Sequence, residues 1–96
     1  MSLVIKDRNE ISLLIEKLNN CMNCNQFVNI HINVGNVIVR NSIIPEEVII
    51  EEESITINSK SFSLCIDNLE NIEYEEEFES FCLYVSNDEI YFDFME

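Results

Sequence analysis

Apolar residues near the start of the chain recur with the period of a helix. Ile11, Leu14, Ile15 and Leu18 fall at i, i+3, i+4 and i+7, which sets them on one face of an α-helix. Asp7 followed by Glu10 has the spacing of a capping box, with Asp in the usual Ser/Thr place. Asn19 and Asn20 supply a stop signal, so the pattern predicts a helix from about Arg8 to Leu18 or Asn19.

After Gln26 the period drops to two. Val28, Ile30, Ile32 and Val34 alternate with Asn29, His31 and Asn33, the signature of a half-buried strand. Gly35-Asn36 then separates this run from Val37-Ile38-Val39, which reads as a tight hairpin. Pro45 follows Ile43-Ile44 and should end the second strand. Further short runs follow at Val48–Ile50, Ile55–Ile57, Phe62–Ile66, Ile72–Tyr74, Phe81–Val85 and Ile90–Phe94. The breaks between them are too short for parallel crossovers, so neighbouring strands should be antiparallel. The expected fold is α+β: a single domain over residues 1–96, with one N-terminal helix packed on an antiparallel meander of six to eight strands, a sheet able to curl into a small barrel.

Composition fits one modest core: 47% of the 96 residues are hydrophobic, and one Gly and one Pro leave little room for linkers. No apolar run approaches the roughly 18 residues of a membrane span. The charged N-terminus, Met1 to Arg8, does not suit a signal peptide, so the expected location is cytoplasmic, with the four cysteines reduced. Charge changes the picture more. Residues 1–44 carry three acids and four bases, a net of +1, whereas residues 45–96 carry sixteen acids and one base, Lys60, a net of −15. The abundance of Asn and Ile matches the codon bias of AT-rich genomes, but such genomes also enrich Lys, which occurs only three times here. Codon bias therefore leaves the acidity unexplained.

The acids form runs: Glu46-Glu47, then Glu51, Glu52 and Glu53, then Asp67, Glu70, Glu73, Glu75, Glu76, Glu77 and Glu79, then Asp88, Glu89, Asp93 and Glu96. Side chains at i and i+2 of a strand share a face about 6.6 Å apart. Glu73, Glu75, Glu77 and Glu79 have that spacing, as do Glu51 and Glu53, and an extended chain would display them as a regular row. To a protein that grips phosphates with Lys and Arg, such a row resembles a nucleic-acid backbone. The bland alternative is a solvated face that keeps an edge-rich β protein soluble. A calcium loop of the EF-hand type lacks its spaced Asp/Asn pattern and its central Gly.

Cys21 and Cys24 form a C-x2-C pair, half of a zinc site. The candidates to complete the site are His31, Cys65 and Cys82; Cys65 and Cys82 have non-core parity and could approach each other to give four cysteine ligands, and the alternative is four small reduced thiols. A thioredoxin-like redox role expects a βαβ setting, which the meander does not provide. His31, the single histidine, should face away from the core, and no G-x-S-x-G, H-E-x-x-H or P-loop motif occurs. Paired carboxylates could serve a glycosidase, but so short a chain offers little cleft for a sugar. The reading is therefore non-enzymatic and cofactor-free, with zinc as the alternative. Direct nucleic-acid binding is disfavoured, since five bases face nineteen acids. A helix followed by a small barrel resembles Sm-like RNA-binding proteins in pattern only. Tyr74, Phe78, Tyr84 and Tyr91 fit either an interface hot spot or a second apolar layer.

In size, acidity and layout the chain resembles small phage-encoded inhibitors of bacterial defence, particularly acidic anti-CRISPR proteins. The residues carrying the likeness are Glu51-Glu52-Glu53 and the segment from Glu73 to Glu79. The resemblance is one of composition and transfers no residue role. It implies a stoichiometric inhibitor, acting in the host cytoplasm, that occupies the basic groove of a nucleic-acid-handling protein. The expected partner is thus a basic protein, with neither direct nucleic acid nor membrane. The alternatives are an immunity or antitoxin protein that neutralises a basic toxin, a zinc-dependent structural or regulatory module, and an assembly subunit whose acidity serves solubility.

Overall fold

The computed structural model describes residues 9–94. Asp7, Arg8 and Glu96 lie outside them, and with them the proposed capping box. Helix α1 spans Asn9–Cys24, and eight strands follow: β1 Val28–Val34, β2 Val37–Ile43, β3 Glu47–Ile50, β4 Ser54–Asn58, β5 Ser63–Asp67, β6 Asn71–Glu75, β7 Ser80–Val85 and β8 Asp88–Asp93. They form two antiparallel sheets, one of five strands in the order β2-β1-β8-β7-β6 and one of three in the order β3-β4-β5. The architecture is α+β as expected. The strands do not run as one meander, and the described residues close no barrel. The chain leaves the first sheet after β2, builds β3-β4-β5, and returns at β6, while β8 comes back to pair with β1.

Helix α1 outlasts its predicted stop. Ile11, Leu14, Leu18 and Cys21 are all buried on one face, so the apolar stripe continues past Asn19 and Asn20 for another turn. Asn carries only a modest helical penalty, and continued burial of the stripe outweighs it. The true stop is Asn25, whose φ of 59° puts it in the left-handed region that Asn tolerates. The Gln26 N–H then reaches back to the Cys21 carbonyl at 2.9 Å, the six-to-one bond of a Schellman cap.

One core unites the helix and both sheets. Ile11, Leu14 and Leu18 meet Val28 and Ile30 of β1, Ile55 and Ile57 of β4, Ile66 of β5, Ile72 of β6, Phe81 and Leu83 of β7, and Ile90 and Phe92 of β8. Strand parity follows the predicted alternation, with Asn29, His31, Cys82, Tyr84 and Tyr91 on the outer face of the larger sheet. The stripe is not covered to its end: Val28 and Ile30 are buried, whereas Val34 is 48% exposed. At the hairpin tip Gly35 has φ 58° and Asn36 has no positive φ, the pattern of a type II′ turn.

Candidate functional site

Antiparallel pairing decides which acids meet. The end of the larger sheet that carries the Gly35-Asn36 turn also carries the end of β7, the start of β8 and the start of β6. The smaller sheet joins it there, because Ser54 pairs with Asp67 and the Asn68 N–H donates to the Glu53 carbonyl at 3.2 Å. Glu70 is fixed at the same end twice over. Its N–H donates to the Tyr84 carbonyl at 2.8 Å, and its side-chain Oε1 accepts from the Ser86 N–H at 2.7 Å. Glu51, Glu52, Glu53, Asp67 and Glu70 are thus gathered as exposed carboxylates around one set of turns, with half-buried Asp88 and Glu89 beside them. The described bases lie elsewhere: Lys17 on α1, Arg40 in mid-β2, and Lys60 in the β4–β5 turn at the far end of the smaller sheet.

This arrangement is not the predicted row. Glu51 and Glu53 do not share a strand face, because the chain turns there, with the Glu51 N–H bonded to the Ser54 carbonyl at 2.9 Å. Glu73 and Glu75 do share the outer face of β6. Beyond them Glu76–Phe78 forms a turn of 3-10 helix and Glu79 takes φ 48°, so Glu77 and Glu79 leave that face. The result is a second acidic group, Glu75, Glu76 and Glu77, at the opposite end of β6 from Glu70. Glu79 is drawn toward α1 by Lys17, whose Nζ donates to its Oε1 at 3.2 Å. A regular row requires the Glu73–Glu79 segment to be extended throughout, and the 3-10 turn breaks that condition. The grouping of Glu51–Glu53 with Asp67 was accessible from the short β4–β5 break, which obliges the segments flanking that hairpin to meet.

The cysteines are not brought together. Cys21 is buried on the core face of α1, and burial followed by its neighbour Cys24 pushes its thiol pKa up. Exposed Cys65 sits on the outer face of the three-stranded sheet, where it accepts a 3.5 Å bond from the Thr56 hydroxyl. Cys82 sits on the outer face of the other sheet, so Cys65 and Cys82 do not approach each other: the two faces point away from the shared core. The described residues contain no group of three or more His, Cys, Asp or Glu side chains placed to hold a metal ion. Burial also raises the Cys82 thiol, the opposite of what a nucleophile needs.

The aromatic residues divide. Tyr74 turns inward and stacks on Phe81 with ring centroids 4.6 Å apart, so it is a core residue. Tyr84 and Tyr91 flank Cys82 on the outer face, and Phe78 is 55% exposed on the 3-10 turn. The Tyr91 hydroxyl donates to Glu89. Hydrogen bonding to Cys82 pushes the Tyr84 phenol up to about 12, and the bond to Glu89 raises that of Tyr91 as well. His31 lies between Arg40 and Tyr91 in the same cross-strand row. At the far end from the acidic turns a cleft of about 530 Å³ opens between Met22, Phe27, Ile43 and Pro45, with Glu46 and Lys60 as its titratable residues. No described helix is long and apolar enough to cross a membrane. Compared with protein-family models, curated proteins and solved structures, the chain matches none.

Proposed function

We propose that this chain is a non-catalytic acidic binding protein that docks on the basic groove of a nucleic-acid-handling protein and inhibits it, in the manner of anti-CRISPR or DNA-mimic inhibitors. The observation that carries the reading is the acidic turn end: exposed Glu51, Glu52, Glu53, Asp67 and Glu70 with no described lysine or arginine beside them. Charges of one sign gathered on neighbouring turns raise the rate of encounter with a cationic surface and bias its orientation. Self-repulsion disfavours the compact state at a net charge of −14, and a cationic partner relieves it. The raised thiol pKa values of Cys21 and Cys82 fit a non-catalytic role.

The test is capture of the partner from a host lysate at low and high salt, followed by affinity measurements on charge-reversed chains. Glu51→Lys, Glu52→Lys and Glu53→Lys combined should weaken binding by about tenfold or more. Reversal of Glu75, Glu76 and Glu77 should cost less, and reversal of Glu10 and Glu16 on the helix least. Equal losses from all three sets, or a complex indifferent to salt, would refute the proposal.

A further inference from the structure

The cleft at the far end from the acidic turns is framed by segments that meet in space and not in sequence. The chain leaving α1 puts Phe27 on one wall, 63% exposed. The end of β2 supplies Ile43, and Ile44 follows it. The Glu46 N–H donates to the Asn58 carbonyl at 2.8 Å, which sets Glu46 beside the turn that leaves β4. Ser59 closes that turn: its N–H and its hydroxyl both donate to the Phe62 carbonyl, at 2.8 and 3.0 Å. Lys60, the next residue, stands at the rim of the cleft.

Two opposite charges share this cleft without neutralising each other. Among the described residues Glu46 and Lys60 form no ion pair, with one another or with any other side chain. Lys60 is also the single base of residues 45–96, set among sixteen acids. Between the two charges lies the apolar surface of Phe27, Ile43 and Ile44. The volume of about 530 Å³ is that of a small-molecule site, for which roughly 300–1,000 Å³ is usual. We propose that the cleft binds a free apolar α-amino acid as its zwitterion. The ligand carboxylate accepts from Lys60 Nζ, its ammonium donates to the Glu46 carboxylate, and its side chain lies on Phe27, Ile43 and Ile44.

Charge selects a zwitterion as the occupant. A chain of net charge −14 repels a free anion before it reaches Lys60, and it draws a free cation to the acidic turns as readily as to Glu46. A ligand of zero net charge meets neither difficulty. At short range each of its charged ends finds an opposite charge that no side chain already occupies, and charge-assisted hydrogen bonds add to the burial of its apolar body. The cleft lies at the opposite end of the molecule from Glu51–Glu53, so this proposal stands independently of the inhibitor reading.

Titration of the isotope-labelled full chain with L-phenylalanine, followed by amide NMR shifts, tests it. The signals of Phe27, Ile44 and Lys60 should shift and saturate below about 10 mM, while those of Glu51–Glu53 stay in place. Phenylalanine amide lacks the carboxylate and N-acetylphenylalanine lacks the ammonium. Each should bind at these signals about tenfold more weakly or worse, and glycine, with no apolar body, should leave them unmoved. Two variants assign the charges. Lys60→Gln should abolish the preference for phenylalanine over its amide and keep the preference over the N-acetyl form. Glu46→Gln should do the reverse. Both side chains are exposed, so the circular dichroism should be kept. No saturable shift at about 10 mM, an amide or N-acetyl form that binds as well as the zwitterion, or preferences that both variants leave intact overturns the proposal.

Discussion

Along β6 the outward side chains are Asn71, Glu73 and Glu75, whereas β2, the other edge of the same sheet, turns Ile38 outward and leaves Val37 and Val39 uncovered on its inner face. The β6 side is also tied down. Tyr74 stacks on Phe81, Glu70 holds the β7–β8 turn, and Lys17 reaches Glu79 from the helix. Strand β2 has β1 as its neighbour and little else. Acids therefore lie where the sheet is already closed by packing, and the edge without them is the one that packing leaves open. Asp67, one carboxylate of the candidate docking surface, also stands on an edge strand, while Glu47 on β3 and Glu73 and Glu75 on β6 guard the other two against association.

The strongest test of this contrast is truncation of the core beneath the closed side. Phe81 is fully buried between Tyr74 and Phe94, with ring centroids 4.6 and 5.8 Å away. Phe81→Ala should cost about 3–5 kcal/mol in urea unfolding, because the lost ring leaves a cavity that the sheet cannot collapse into. Val37→Ala on the open side should cost less than about 0.5 kcal/mol. Similar losses at the two sites would erase the distinction between the edges.

A smaller effect of opposite sign is expected at Ser86. It occupies the β7–β8 turn with φ 55°, a region costly for any residue with a Cβ, while its N–H is held by Glu70. Ser86→Gly keeps that N–H and removes the steric cost. It should stabilise the fold by about 1 kcal/mol, read as a higher Tm. An unchanged or lower Tm would show that the closed side carries no strain at its turn.

How much of this was legible in the chain depends on range. Helix and strand periods come from neighbours in sequence, so the stripe Ile11–Leu14–Leu18 and the alternation from Val28 to Phe92 were readable. The antiparallel sense followed from short breaks. What period cannot encode is which distant strand a given strand joins. The pairing of β1 with β8 and the departure of β3-β4-β5 into a second sheet rest on the shared core, not on any local signal. The acidic site inherited that blindness. Glu51–Glu53 and Asp67 meet through one hairpin, but Glu70, Asp88 and Glu89 join them only once β6, β7 and β8 are side by side. The apparent row from Glu73 to Glu79 failed because Glu76–Phe78 coils as a 3-10 turn, a local choice that an alternating pattern does not reveal.

On the outer face the two raised phenols give the contrast a pH signature. A group whose folded pKa exceeds its unfolded value keeps its proton longer in the native state, so the stability it contributes is complete below the unfolded value and lost as pH climbs through the folded one. For Tyr84 that window runs from 10 to about 12. The phenolate absorbance of Tyr84 and Tyr91 should appear later than that of free tyrosine, and unfolding should become easier across this window. Tyr84→Phe should flatten part of the slope. If both phenols titrate as free tyrosine does, the Cys82–Tyr84–Tyr91–Glu89 contacts are not holding their protons.

The weakest tie of the closed side is the Lys17–Glu79 pair. The side chains are 20% and 47% exposed, so water screens much of their attraction, and ordering two long side chains offsets more. Lys17→Met keeps the aliphatic stem against the helix and removes the charge. It should cost no more than about 0.5 kcal/mol at low salt, and less as ionic strength rises. A double-mutant cycle with Glu79→Gln isolates the pair from the rest. A coupling well above 1 kcal/mol would mean that charge, and not packing under Phe81, is what closes the β6 side.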